Sequence, residues 1–245
     1  MIVLLALSFF GYAHFFVRRA QVTPGAGVFL STATLISAIY VLGFAPFFRE
    51  SMFGLMGLGL LLFACYMIRD FKTRSFEFRN SLKSASFVVF GLYVLIAYFS
   101  FRDMWILQWD EIGHWGLVLK EMLLYGRNLK MGDVSWIPIY PPGAAAFQYY
   151  FTVLLGPRDG HAYVAQSVLM MSALVQLLDL KPAYRTAGRG VFFAGFGIIF
   201  AFFNGWKMIY VDSAVSLFFA GAILFYINER PFTLMRLLWF TPIFI

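Results

Sequence analysis

Runs of about twenty apolar residues, broken by short charged loops, recur along this chain and constrain its fold more than any other feature. A helix rises about 1.5 Å per residue, so a run of about twenty crosses the ~30 Å hydrocarbon layer of a bilayer. The stretch from Gly54 to Ile68 shows no alternation of period two, which favours helices over a transmembrane barrel. Charged residues make up only 13% of the 245, about half the ~25% typical of a soluble domain. The expected architecture is therefore all-α: a polytopic transmembrane helical bundle with an extracytoplasmic loop that carries a juxtamembrane helix.

The first four spans read as Met1 to Val17, Val28 to Phe48, Met52 to Ile68 and Ala85 to Phe101. The first lacks a basic leader and a small-residue cleavage site, so it is read as a retained span. Arg69, Lys72, Arg74, Arg79 and Lys83 form the densest basic loop, which the positive-inside rule puts in the cytoplasm. Arg18 and Arg19 then also fall inside, Arg49 and Glu50 form a tight outer turn, and residues 102 to 143 lie outside. Gly143 to Leu155 is short for a crossing and is expected to be re-entrant or interfacial. His161 to Leu178, Val191 to Tyr210 and Ser213 to Ile227 are further spans, and the run after Arg236 reads as an incomplete one. The chain is thus one membrane domain, 1–245: four N-terminal spans to 101, the loop 102–143, and the helices of 144–245. The expected home is the plasma (inner) membrane, multi-pass, with the active site on the periplasmic side.

The net charge of +7 is dispersed over inter-helix loops, a topology pattern that argues against nucleic-acid binding. Cys65 is the only cysteine, which excludes an intrachain disulfide and a Cys-rich metal site.

Chemistry-bearing residues concentrate between Trp109 and Tyr150. On a helix, Asp110, His114 and Glu121 fall within about 40° of one another, with Ile112, Trp115, Leu119, Met122 and Leu123 opposite. This predicts an interfacial helix whose acids face an aqueous cavity. Asp110 also suits an N-cap, with Glu111 in the first turn. Lys120 and Arg127 suit phosphate oxygens, or equally lipid headgroups. Tyr140-Pro141-Pro142-Gly143 is a rigid turn into the next helix, and it would hold Tyr140 at a cavity mouth. Asp212, at a helix break, is expected on the same outer surface, as a cap or as a functional acid.

The Asp110-Glu111 pair after a span, the juxtamembrane helix and the Tyr140-Pro141-Pro142-Gly143 turn together resemble the GT-C superfamily of membrane glycosyltransferases, nearest to the protein mannosyltransferase and aminoarabinose transferase-like enzymes. The likeness covers under a quarter of the chain. It implies transfer of a sugar from a polyprenyl-phosphate donor to a glycan, lipid or protein acceptor at the outer face, with Asp110 and Glu111 catalytic. His114, Lys120, Arg127, Tyr140, Pro141, Pro142, Gly143 and Asp212 would bind substrate. No cofactor is certain; a divalent metal, as in some relatives, would draw on Asp110, Glu111, His114 and Asp212. Here the loop follows the fourth span, where better-known members place it after the first. The rival readings are a polymerase or ligase that uses a diphosphate-linked donor through outer arginines, and a transporter or scaffold.

Overall fold

A computed structural model describes residues 1–108, 111–130, 133, 143–202 and 211–229. Among these, all regular structure is helical. Four helical segments are long and apolar enough to cross a membrane: Ile2–Arg19, Pro24–Leu42, Phe48–Thr73 and Asp159–Asp179.

The first three are α1 (Ile2–Arg19), α2 (Pro24–Leu42) and α3 (Phe48–Thr73). Two of their boundaries differ from the hydropathy reading. α2 begins at Pro24 because proline suits the first helical position and the Thr23 hydroxyl accepts the Ala26 N–H. Arg49 and Glu50, expected in an outer turn, lie in the first turn of α3; the reversal is made by Gly43–Phe47. α1 packs on α3 backbone to backbone. A Cβ added at Gly11 would sit 2.0 Å from the Gly59 carbonyl oxygen, and one at Gly59 would sit 2.0 Å from the Ser8 hydroxyl. Any side chain at either position would force the two helices apart.

A short helix α4 (Glu77–Leu82) follows, its start held by Asp70, which accepts from the Phe78 and Arg79 N–H groups and from Ser75. Hydropathy gave no sign of it, since six residues are too few to show a period. α5 (Ala85–Phe101) is capped by the Ser84 hydroxyl. Beyond the candidate site come α6 (Gly116–Tyr125), α7 (Gly143–Leu155) and α8 (Asp159–Leu174), which continues as a 3₁₀ turn to Asp179. α9 (Arg185–Phe202) and α10 (Val211–Asn228) complete the described chain.

α8 is the central pillar: from Gly160 through its 3₁₀ extension to Leu178 every residue is buried within the protein. Gly160 packs against the carbonyls of Phe101 and Arg102 at one end, while Asp179 accepts from the Gly25 N–H (2.7 Å) and the Ser86 hydroxyl at the other. α10 runs parallel to it. Asn228 accepts the Lys181 N–H, and Gly221 lies beside Ala173 and Gln176, which directs the start of α10 toward the end where Gly160 sits. The bundle thus has a Thr23 end and a Glu111 end. α7 is short and deeply buried, packed on α8 and α2, with Phe147 and Phe151 against Phe9 and Tyr149 stacked on Phe48.

Candidate functional site at the Glu111 end

The chain leaving α5 is pinned to the start of α8. Asp159 accepts the Ile106 N–H (3.2 Å), and Asp103 bridges Arg102 and Arg158 (3.2 and 3.1 Å). It then makes one turn of π-helix, Glu111–Trp115, before α6. Wide turns of this kind are rare, and they concentrate at functional sites. Gly116 permits the change of winding: a Cβ there would lie 2.6 Å from the Glu111 carbonyl oxygen.

The π turn alters the expected faces. Uniform α-helical spacing set Asp110, His114 and Glu121 toward water and Ile112 toward the apolar side. In the structure the extra residue shifts Glu111–Trp115 relative to α6, so Glu111 is buried while Ile112 is exposed; within the regular α6, Val118, Leu119 and Met122 are buried as the apolar face and Glu121 is buried beside them. The acids of this segment that the structure describes therefore face inward.

Glu111 is fully buried and accepts a 2.6 Å hydrogen bond from the Tyr163 hydroxyl, one turn into α8. That bond joins residues 52 apart and fixes the carboxylate's rotamer. At the other end of α6, Asn128 donates its N–H to the Gly43 carbonyl and its amide to the Tyr40 carbonyl, which fastens the helix across the end of α2. α6 consequently lies over the bundle end, with α7 beneath it.

Between α6 and the α7–α8 turn is a cleft of about 390 Å³. Leu119, Leu123 and Pro157 form apolar walls, and Lys120, Arg158 and Asp159 form a charged rim. The Lys120 ammonium is 3.9 Å from Asp159 and half exposed, so this contact leaves it free to meet an anion. Around this end Trp105, Leu107, Leu124 and Tyr125 are exposed, the composition of a surface at headgroup depth.

Of the remaining expected site residues, His114 is half-buried in the π turn, Gly143 starts α7 beside Ile36, and Asp212 is exposed in the first turn of α10. Asp110, Tyr140, Pro141 and Pro142 lie outside the described residues. Arg127 does not line the cleft. It makes a two-pronged ion pair with Asp133 (2.8 Å on each prong), and Asp133 also accepts the Lys130 N–H. The Arg127 hydrogen bonds, followed by the Lys130 N–H, hold the Asp133 carboxyl at about 2. Among the described residues no three His, Cys, Asp or Glu side chains converge as a metal-ligand set.

Sequence reasoning missed Tyr163, Arg158 and Asp159. The last two carried a signal, an Arg-Asp pair directly before a span. Tyr163, inside an apolar run, carried none. No protein-family model, no curated protein and no solved structure matches this chain.

Proposed function

We propose that the chain is a membrane glycosyltransferase that moves a sugar from a polyprenyl-phosphate donor to an acceptor at the outer membrane face. The observation that carries this reading is the cleft under α6. It combines a cationic rim with apolar walls at an end of the bundle ringed by aromatic and aliphatic side chains, and it stands beside a π turn bearing a buried carboxylate held by Tyr163. A lipid-linked sugar phosphate needs that combination: cations for the phosphate and an apolar passage for the first isoprene units.

Topology agrees with the reading. Arg18, Arg19, Lys72, Arg74, Arg79, Lys83, Lys181, Arg185 and Arg189 gather toward the Thr23 end, so the positive-inside rule turns the Glu111 end outward. In the reaction a carboxylate, Asp110, takes the proton of the acceptor hydroxyl. The acceptor oxygen forms a bond to the anomeric carbon from the face opposite the carrier, and the bond from that carbon to the phosphate oxygen breaks. The departing phosphate keeps the electron pair, and Lys120 and Arg158 stabilise its charge. Glu111, next to Asp110 in sequence and locked by Tyr163, fixes the π turn that it begins.

A polymerase or ligase working through outer arginines has less support, since Arg127 is held by Asp133 in a two-pronged pair and does not line the cleft. The test is transfer from a radiolabelled polyprenyl-phosphate hexose in membranes. Asp110→Asn is expected to lower the rate about 100-fold or more, and Lys120→Ala to raise KM chiefly. Undiminished transfer by Asp110→Asn overturns the assignment.

A further inference from the structure

Four acids among the described residues are buried: Asp70, Glu111, Glu121 and Glu229. Three have donors. Asp70 accepts two backbone N–H groups and the Ser75 hydroxyl, Glu111 the Tyr163 hydroxyl, and Glu229 the Thr23 N–H, its hydroxyl and the Asn228 amide. Glu121, in the middle of α6 and 5% exposed, has no hydrogen-bond partner on either carboxylate oxygen. A carboxylate removed from water without a donor is strongly disfavoured, and folds normally avoid it. Seven residues on, the buried Asn128 side chain donates to Tyr40 while its oxygen accepts from nothing. The segment 121–128 therefore carries three buried acceptor oxygens without donors.

The nearby cations are turned elsewhere. Lys120 lies 100° around the helix on the cleft side, directed at Asp159, and Arg127 is bound to Asp133. What would satisfy Glu121 has to bring its own donors, and it cannot be an anion. Resting on the glycosyltransferase reading, we infer that Glu121 is the sugar-binding carboxylate of the site and accepts hydrogen bonds from hydroxyl or amino groups of the lipid-linked sugar. α6 would then meet one ligand with two chemistries: Lys120 on one flank takes the phosphate, and Glu121 on the other takes the sugar. Glu121 does not line the cleft as it stands, so entry of the sugar requires α6 to shift against its Asn128 anchor.

The test uses the full chain in nanodiscs with two probes, a polyprenyl phosphate and the same carrier bearing a hexose, with binding and thermal unfolding both measured. The wild type is expected to bind the sugar-bearing carrier about tenfold or more tightly than the bare one, as a hydrogen bond to a charged group implies. Glu121→Gln is expected to abolish that preference, to leave affinity for the bare carrier unchanged, and to unfold at the same or a higher temperature without ligand. Lys120→Ala should weaken both carriers. A Glu121→Gln protein that keeps the preference, or that unfolds at a lower temperature without ligand, overturns the inference, as does a wild type that binds the two carriers equally. A wild type that binds neither carrier overturns the glycosyltransferase reading as well.

Discussion

The two ends of this bundle treat buried polar groups in opposite ways. At the Thr23 end, carboxylates close helix starts: Asp179 caps α2 through Gly25 and holds Ser86 of α5, Glu229 caps Thr23, and Asp70 caps α4. Each satisfies backbone N–H groups or hydroxyls that would otherwise be orphaned at a helix N-terminus. At the Glu111 end one carboxylate is locked by a tyrosine, another has no partner, the helix is wound as a π turn, and a cleft opens beside it. The difference lies in the carboxylates: at one end they join helix to helix, and at the other Glu121 is buried with no hydrogen-bond partner. Functional sites commonly carry such local cost, offset by the surrounding fold.

The comparison is tested most severely at Asp179. Asp179→Ala removes the acceptor of a helix cap and of a buried hydroxyl and joins no new pair, so it should destabilise the protein by about 3 kcal/mol. Unfolding in detergent by denaturant titration would measure this, and a loss no larger than that of an exposed α3 substitution such as Leu61→Ala would contradict the holding role. A smaller effect is expected at the other end. Tyr163→Phe removes the Tyr163 hydroxyl from the buried Glu111, costing roughly 1 to 3 kcal/mol. Unlike Asp179→Ala, it should also reduce sugar transfer at unchanged KM, because it loosens the π turn and leaves the cleft intact. Transfer kinetics of the two variants, compared at matched folded fraction, separate the roles.

The smallest expected effect concerns pH. The Asp133 carboxyl ordinarily titrates near 3.8, and in the folded protein it is held at about 2 by Arg127. Its folded value is depressed, so the ion pair contributes fully above the ordinary value. That contribution is lost as pH falls through the window from 3.8 to about 2. Hydrogen exchange at the Lys130 amide, which donates to Asp133, should accelerate in that window relative to amides of α1. An unchanged ratio would mean that the pair does not order this turn.

Much of the bundle was legible from local pattern. Ala85–Phe101 and Gly143–Leu155 coincide with the expected helices, and Asp159–Asp179 and Val211–Asn228 contain the expected runs. The misses have local causes. The value of Pro24 as a helix start outweighed the polar look of Thr23–Gly27, and the apolar length of α3 carried Arg49 and Glu50 into its first turn. Within the candidate site, the concentration of charge from Glu111 to Lys130 was readable, and its facing was not. A turn of π-helix leaves no mark in a 3.6-residue period, so Ile112 was expected inside and is exposed, and Glu121, expected in water, is buried by the packing around α6, which spacing within the helix does not encode. The transporter reading weakens for a similar reason. Tyr163, Gln166 and Ser167 occupy one side of α8, and Ser172, Gln176 and Asp179 fall roughly opposite, so they form no single polar file through the bundle.

By itself the sequence determined that this chain forms helices long and apolar enough to cross a membrane, and where along it polar chemistry is concentrated. Both follow from run length and composition, which are local properties and survive any arrangement of the helices. Only the tertiary structure decided that Glu111 meets Tyr163, that Asp179 closes the start of a helix about 150 residues before it, and that Glu121 is left without a donor. Those outcomes depend on which faces meet across the bundle. A hydrogen bond requires contact to within a few tenths of an ångström, and no spacing within one segment encodes that for another.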